Sequence, residues 1–148
     1  PILSLQEALE AVLAQPVPIR ICFDVDGVLA DDRSLLSYQK RLPYDWVAPL
    51  LTRLKVAGHT IVIQTARYMR QFSGDQNLAH RNGHAELVVW LDQHGIPHDE
   101  VYMGKASFDM NVDDRGCRVE SNEGITDWAR SFVPLLAKTQ ARMKADRS

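Results

Sequence analysis

Apolar and polar positions change rhythm several times along this chain, and each change marks an expected element. In "SLQEALEAVLA" (4–14), Leu5, Leu9, Val12 and Leu13 recur at helical spacing. Ser4 is placed as an N-cap with Glu7 three residues on, and Pro16 and Pro18 end the helix. "IRICFD" (19–24) is a continuous apolar run closed by an acid, the pattern of a buried strand. Helical spacing returns in "DWVAPLLTRLKVA" (45–57), stopped by Gly58. A second buried strand is "HTIVIQT" (59–65). The polar stretch 66–83 reads as loop, and "HAELVVWLDQHG" (84–95) as a helix closed by Gly95. Short strands are expected at 99–104 and 109–114. Residues 125–145 complete the pattern as a helix with Trp128, Phe132, Leu135 and Leu136 on one face.

Strands alternating with helices predict an α/β fold, a parallel sheet with helices on both faces. The 148 residues fit one domain (1–148), with 1–18 as a helical extension and 125–148 as a closing helix. A hydrophobic fraction of 45% supplies a real core, and a net charge of −2 predicts no broad grip on nucleic acid or membrane. Cys22 and Cys117 make no disulfide framework, and Cys22, inside an apolar strand, is expected to be a buried thiol. There is no apolar run of transmembrane length and no visible secretory signal, so a cytoplasmic protein is expected.

The chemistry lies where strands end. Two acids one residue apart, Asp24 and Asp26, close the first strand. Buried carboxylates so close together repel unless something positive joins them. Thr65 ends the second strand, and Asp113 and Asp114 end the expected strand 109–114, with Lys105 just before it. In open parallel sheets ligands bind at the carboxyl ends of the strands. Carboxylates gathered there suit a hard cation, Mg²⁺ being the usual choice. Mg²⁺, a lysine and a hydroxyl on one point match what a phosphoryl group needs. One aspartate can attack phosphorus, and a second can protonate the leaving oxygen and later activate water.

These residues carry a resemblance. "FDVDGVL" (23–29) resembles the first motif of the haloacid dehalogenase-like phosphatases, D-x-D-G-[TV]. "IVIQTAR" (61–67) is similar to their second motif, and "GKASFDMNVDD" (104–114) to the third and fourth. The resemblance implies a Rossmann-like three-layer α/β/α fold around a parallel sheet. It implies a Mg²⁺-dependent phosphomonoester hydrolase working through an aspartyl-phosphate. Asp24 would be nucleophile and metal ligand, and Asp26 general acid/base and metal ligand through its carbonyl. Thr65, Ala66, Arg67 and Lys105 would hold the phosphoryl group. Asp114 would be the metal ligand of the last pair, with Asp113 close by. "GKxSxDxxVDDR" is similar to small members associated with capsule and sugar biosynthesis, which favours a sugar phosphate or related small metabolite. Ala106 stands where those members more often have proline. "VDDR" also resembles the phosphatase domain of polynucleotide kinases, so a nucleotide or a nucleic-acid 3′-phosphate end is the alternative substrate. Two other classes compete with the enzyme: a signalling receiver domain, disfavoured because the middle strand ends in Thr65 and the first carries D-x-D-G, and a non-catalytic binding or assembly module.

About 38 residues separate Gly27 from Thr65 and about 39 separate Thr65 from Lys105, too few for an inserted cap domain. The site is therefore expected to be open or covered by a loop. Loop 66–83, with Arg67, Arg70 and Arg81, is the first candidate lid, anchored by Tyr68, Met69 and Phe72 on a neighbouring copy in a homo-oligomer. Segment 30–42, with Arg33, Lys40 and Arg41, is the second. His80 and His84 read as surface histidines rather than zinc ligands.

Overall fold

A computed structural model describes residues 5–14, 17–116, 118–120, 124–126 and 144–145. Helix α1 (Leu5–Leu13) leads into strand β1 (Arg20–Asp24). A 3-10 turn at Tyr38–Lys40 precedes helix α2 (Val47–Val56) and strand β2 (Thr60–Gln64). Helix α3 (Gln76–Gln93), strand β3 (Glu100–Tyr102) and the short strands β4 (Arg118–Glu120) and β5 (Gly124–Thr126) follow. The first three strands form a parallel sheet in the order β1-β2-β3. This sheet flanked by helices is a small α/β, Rossmann-like arrangement. No helix among the described residues is long and apolar enough to cross a membrane.

The apolar runs build the core as their pattern requires. Ile61 and Ile63 of β2, Leu50, Leu51 and Leu54 of α2, and Leu87, Trp90 and Leu91 of α3 are buried together. Leu9 and Val12 of α1 join them, and an Arg53–Glu10 ion pair ties α1 to α2. Gly58 adopts φ 97° and Gly95 φ 65°, left-handed stops that a side chain resists.

The structure departs from the sequence-based expectations in four places. Residues 66–83 are not a loop. They make a tight turn at 67–74 and then the first half of α3, whose N-cap Asp75 accepts from the Leu78 amide at 3.1 Å. The polar composition hid the helix because its inner face here is small, Ala79 and Gly83. A Cβ on Gly83 would lie 2.5 Å from Met103 Cε and 2.6 Å from the Tyr68 ring, so α3 packs there at glycine distance. Residues 109–114 form no strand. They are exposed and irregular, with Met110 78% and Val112 85% accessible. With no strand among the described residues to pair with, so short a segment gains too little from ladder bonds to stay extended. The helix expected from 125 is instead strand at 125–126, paired antiparallel with 118–119, while 144–145 are helical; the stretch with Trp128, Phe132, Leu135 and Leu136 lies outside the described residues, as does the Ser4 cap. Cys22 is exposed rather than buried, its Sγ 3.4 Å from Gln64 Oε1, because among the described residues β1 is an edge strand.

Candidate functional site

Parallel pairing in register sets Asp24 beside Gln64 and Gln64 beside Tyr102, so all three strands end on one edge. The chain after β1 turns back at once. Val25, Leu29 and Ala30 are buried, the Gly27 amide donates to the Ala30 carbonyl at 2.7 Å, and Gly27 takes φ 88°. That turn presents Asp24 and Asp26 at the edge, and the glycine is needed for its positive φ. After β2 the Thr65 amide donates to the Tyr102 carbonyl at 3.0 Å, and the Lys105 amide donates to the Thr65 carbonyl at 3.1 Å. Two backbone bonds thus carry Lys105 to the end of β2, helped by Gln76 Nε2 donating to the Gly104 carbonyl at 3.0 Å.

The two aspartates meet different surroundings. Asp24 Oδ1 accepts from the Val25 amide at 2.9 Å, and its Oδ2 lies 3.4 Å from Lys105 Nζ. Burial pushes its carboxyl above the ordinary value, against the pull of Lys105. Asp26 is gripped by two guanidiniums. Arg67 Nε and Nη2 donate to it as a fork, both at 2.8 Å, and Arg41 Nη1 adds a third bond at 2.8 Å. Burial pushes Asp26 up as well, but the hydrogen bonds and charges of Arg67 and Arg41 outweigh it, and its carboxyl sits below the ordinary range.

Arg67 is itself buried. Tyr38 stacks 4.3 Å from its guanidinium, and Trp90 lies 5.8 Å from it. Thr65 is 1% exposed, and its Oγ1 accepts from the Arg67 amide at 3.1 Å, a local bond that fixes the turn. Of the expected site residues, the fold brings together Asp24, Asp26, Thr65, Ala66, Arg67 and Lys105. Arg67 points at Asp26 rather than outward. Asp113 and Asp114 lie exposed in the irregular segment, where Asp113 Oδ1 accepts from the Arg115 amide at 3.0 Å, and they join no group of three possible ligands among the described residues.

The donors fit Mg²⁺ in kind, since carboxylate and carbonyl oxygens are hard ligands. They do not fit in place. The Asp26 carboxylate is committed to arginines, and among the described residues no three His, Cys, Asp or Glu side chains gather to hold a metal.

The turn at 67–74 is packed down rather than poised as a lid, with Met69 buried and Tyr68 donating to Glu86 at 3.0 Å. Three residues at the site were not singled out by sequence: Tyr38, Trp90 and Gln76. Each acts across about 28 to 49 residues of chain, and no local pattern marks such partners.

No protein-family model matches the chain, and no curated protein matches it. Its structure is similar to the crystal structure of a structural-genomics target protein from Vibrio cholerae, at 31% identity and a TM-score of 0.61. The match covers 67% of this chain and 82% of that one. The chain belongs to the same family as that Vibrio cholerae protein.

Proposed function

We propose that the chain is a haloacid dehalogenase-like phosphohydrolase, in a three-layer fold without a cap, that cleaves a small phosphomonoester through an aspartyl-phosphate. The observation that carries this reading is Asp24 at the end of β1 with Lys105 Nζ at 3.4 Å, where the backbone of Thr65 holds the lysine. Asp24 attacks phosphorus, forming an acyl-phosphate bond as the bond to the ester oxygen breaks. Lys105 offsets the negative charge shared by Asp24 and the incoming phosphoryl group. Water then attacks phosphorus, and phosphate leaves with Asp24 restored.

Asp26 is the acid/base of this reading. With three bonds from arginines it rests ionised, the form that accepts a proton from the attacking water. Giving a proton to the leaving oxygen requires that this grip relax.

Mg²⁺ is part of the proposal and, when bound, supplies charge neutralisation at the phosphoryl oxygens. Asp24 and the Asp26 carbonyl would hold it, and Asp114 or Asp113 would join them only with segment 109–114 moved to the edge. A sugar phosphate or similar metabolite is the substrate class, and the net charge of −2 favours it over a nucleic-acid end.

The test is hydrolysis of p-nitrophenyl phosphate, with and without Mg²⁺. Turnover is expected with the metal and is expected to stop with a chelator. Asp24→Asn is expected to lower kcat by about a thousandfold or more, the loss typical of a removed nucleophile. Asp24→Asn protein that turns over at the wild-type rate overturns the assignment.

A further inference from the structure

Segment 31–42 leaves the edge that carries Asp24 and Asp26, and much of it faces solvent. Leu35 is 103% accessible, Leu42 73% and Leu36 52%. A stretch with so little apolar burial has little to hold it in one place. Tyr38 packs on Arg67 and Tyr68, with ring centroids 5.4 Å apart for the tyrosine pair, and one further side chain gathers the rest. Arg41 Nε donates to the Leu36 carbonyl at 3.2 Å, Nη2 to the Ser34 carbonyl at 3.2 Å, and Nη1 to Asp26 Oδ1 at 2.8 Å. Its own carbonyl accepts from Trp90 Nε1 at 2.7 Å, and its guanidinium stacks 4.8 Å from the Tyr38 ring. The Arg41 side chain is only 13% exposed. A planar fork with five donors can satisfy three acceptors in different directions; an ammonium on a flexible stem holds them less firmly.

We propose that Arg41 is a positioning residue that curls segment 31–42 into a fence at the open edge of the site, and that this fence limits the size of the ester group admitted. The proposal rests on the phosphohydrolase reading for its substrate and on Arg41 geometry for its cause. The outward leucines are not used to grip the ester. The fence works by exclusion, which raises specificity without adding binding contacts. It takes the place of the 67–74 turn as the cover beside the site, because that turn is anchored by its buried Arg67 and Met69.

The first test needs no catalysis. Hydrogen–deuterium exchange of the intact chain is followed on peptides covering 31–42, with 60–64 as the internal control. Arg41→Ala is expected to speed exchange in 31–42 at least tenfold and to leave 60–64 within twofold. Trp90→Phe, which removes the donor to the Arg41 carbonyl without touching Asp26, is expected to act in the same direction and less strongly. Unchanged exchange of 31–42 in Arg41→Ala overturns the tie, as does an equal rise at 60–64.

The second test compares p-nitrophenyl phosphate with the bulkier 4-methylumbelliferyl phosphate, whose leaving groups are similarly acidic. The ratio of kcat/KM, bulky over small, is expected to rise at least fivefold in Arg41→Ala through a lower KM for the bulky ester. It is expected to rise less in Trp90→Phe and to return part of the way in Arg41→Lys. Because a ratio cancels shared chemistry, damage to Asp26 alone leaves it unchanged, and an unchanged ratio overturns the fence. If the intact chain hydrolyses neither ester, the phosphohydrolase reading and the size limit fail together, while the exchange result still decides whether Arg41 ties the segment.

Discussion

Asp24 and Asp26 stand on one turn with only Val25 between them, yet the two sides of the site are built oppositely. On the Asp26 side a carboxylate is surrounded by more positive charge than it needs, and one of its partners, the Arg67 side chain, is 3% exposed. On the Asp24 side a partly buried carboxylate has a single lysine at 3.4 Å, and burial leaves its charged form disfavoured. One side is a clasp that holds its carboxylate ionised and fixes the turn. The other keeps a charge at the edge at some expense to the fold. The same pair of carboxylates is therefore shifted in opposite directions, Asp26 down by its two guanidiniums and Asp24 up by burial.

The largest way to break this contrast is Asp26→Ala. It leaves two guanidiniums without their anion, and the expected loss is about 3 kcal/mol or more in denaturant unfolding at neutral pH. A loss under about 1 kcal/mol removes the clasp from the argument. Adding Arg67→Met to that variant is expected to recover about 1–2 kcal/mol of the loss, since the stranded buried charge goes with it. Additive losses in this double-mutant cycle contradict the pairing.

The two acids also differ in the sign of their pH dependence. The folded-state carboxyl of Asp26 is depressed, so its stabilisation is present above the unfolded value of about 3.9 and is lost as pH falls through its lower folded value. Asp24 is raised, so its ionisation destabilises the fold once pH exceeds its folded value, and that cost vanishes below the unfolded one. Asp24→Asn is therefore expected to raise the melting temperature at pH 7 by a few degrees at most. The gain is under about 1 kcal/mol because the side chain is 34% exposed and solvent screens it. The gain is expected to be gone at pH 3, and melting at the two pH values checks it. The smallest expected effect is Lys105→Met. Its pair with Asp24 is partly solvated, so stability is expected to change by less than about 0.5 kcal/mol, far below Arg67→Met alone.

Much of the frame was legible from local pattern. The apolar runs at 19–24 and 59–65 become β1 and β2 to within a residue or so; the central β2 is buried along Ile61–Ile63 as a continuous apolar run requires, whereas β1, an edge strand among the described residues, buries only Phe23. The α2 and α3 stops at Gly58 and Gly95 follow from glycine at left-handed φ. The first half of α3 was hidden because the helix buries Ala79 and Gly83, which carry almost no hydrophobic signal, against Tyr68 and Met103. At 109–114 the alternation of Met110 and Val112 with polar residues met the strand pattern, but a strand forms only against a partner, and pattern alone supplies none.

The same division holds for the site. By itself the sequence marked Asp24 and Asp26 after β1 and Thr65 after β2 for the carboxyl edge, because parallel strands end together; it set Lys105, Asp113 and Asp114 around a strand at 109–114 that does not form, and Lys105 reaches the edge from the end of β3 instead. What each group does there was decided only by tertiary structure. Arg67 reads as a substrate clamp along the chain and is a buried partner of Asp26 in space. Arg41 reads as a loop cation and is the knot of segment 31–42, through Trp90, which lies 49 positions further on. Electrostatic partners are chosen by distance in three dimensions and by burial. Neither quantity has a period or spacing that a linear sequence can display.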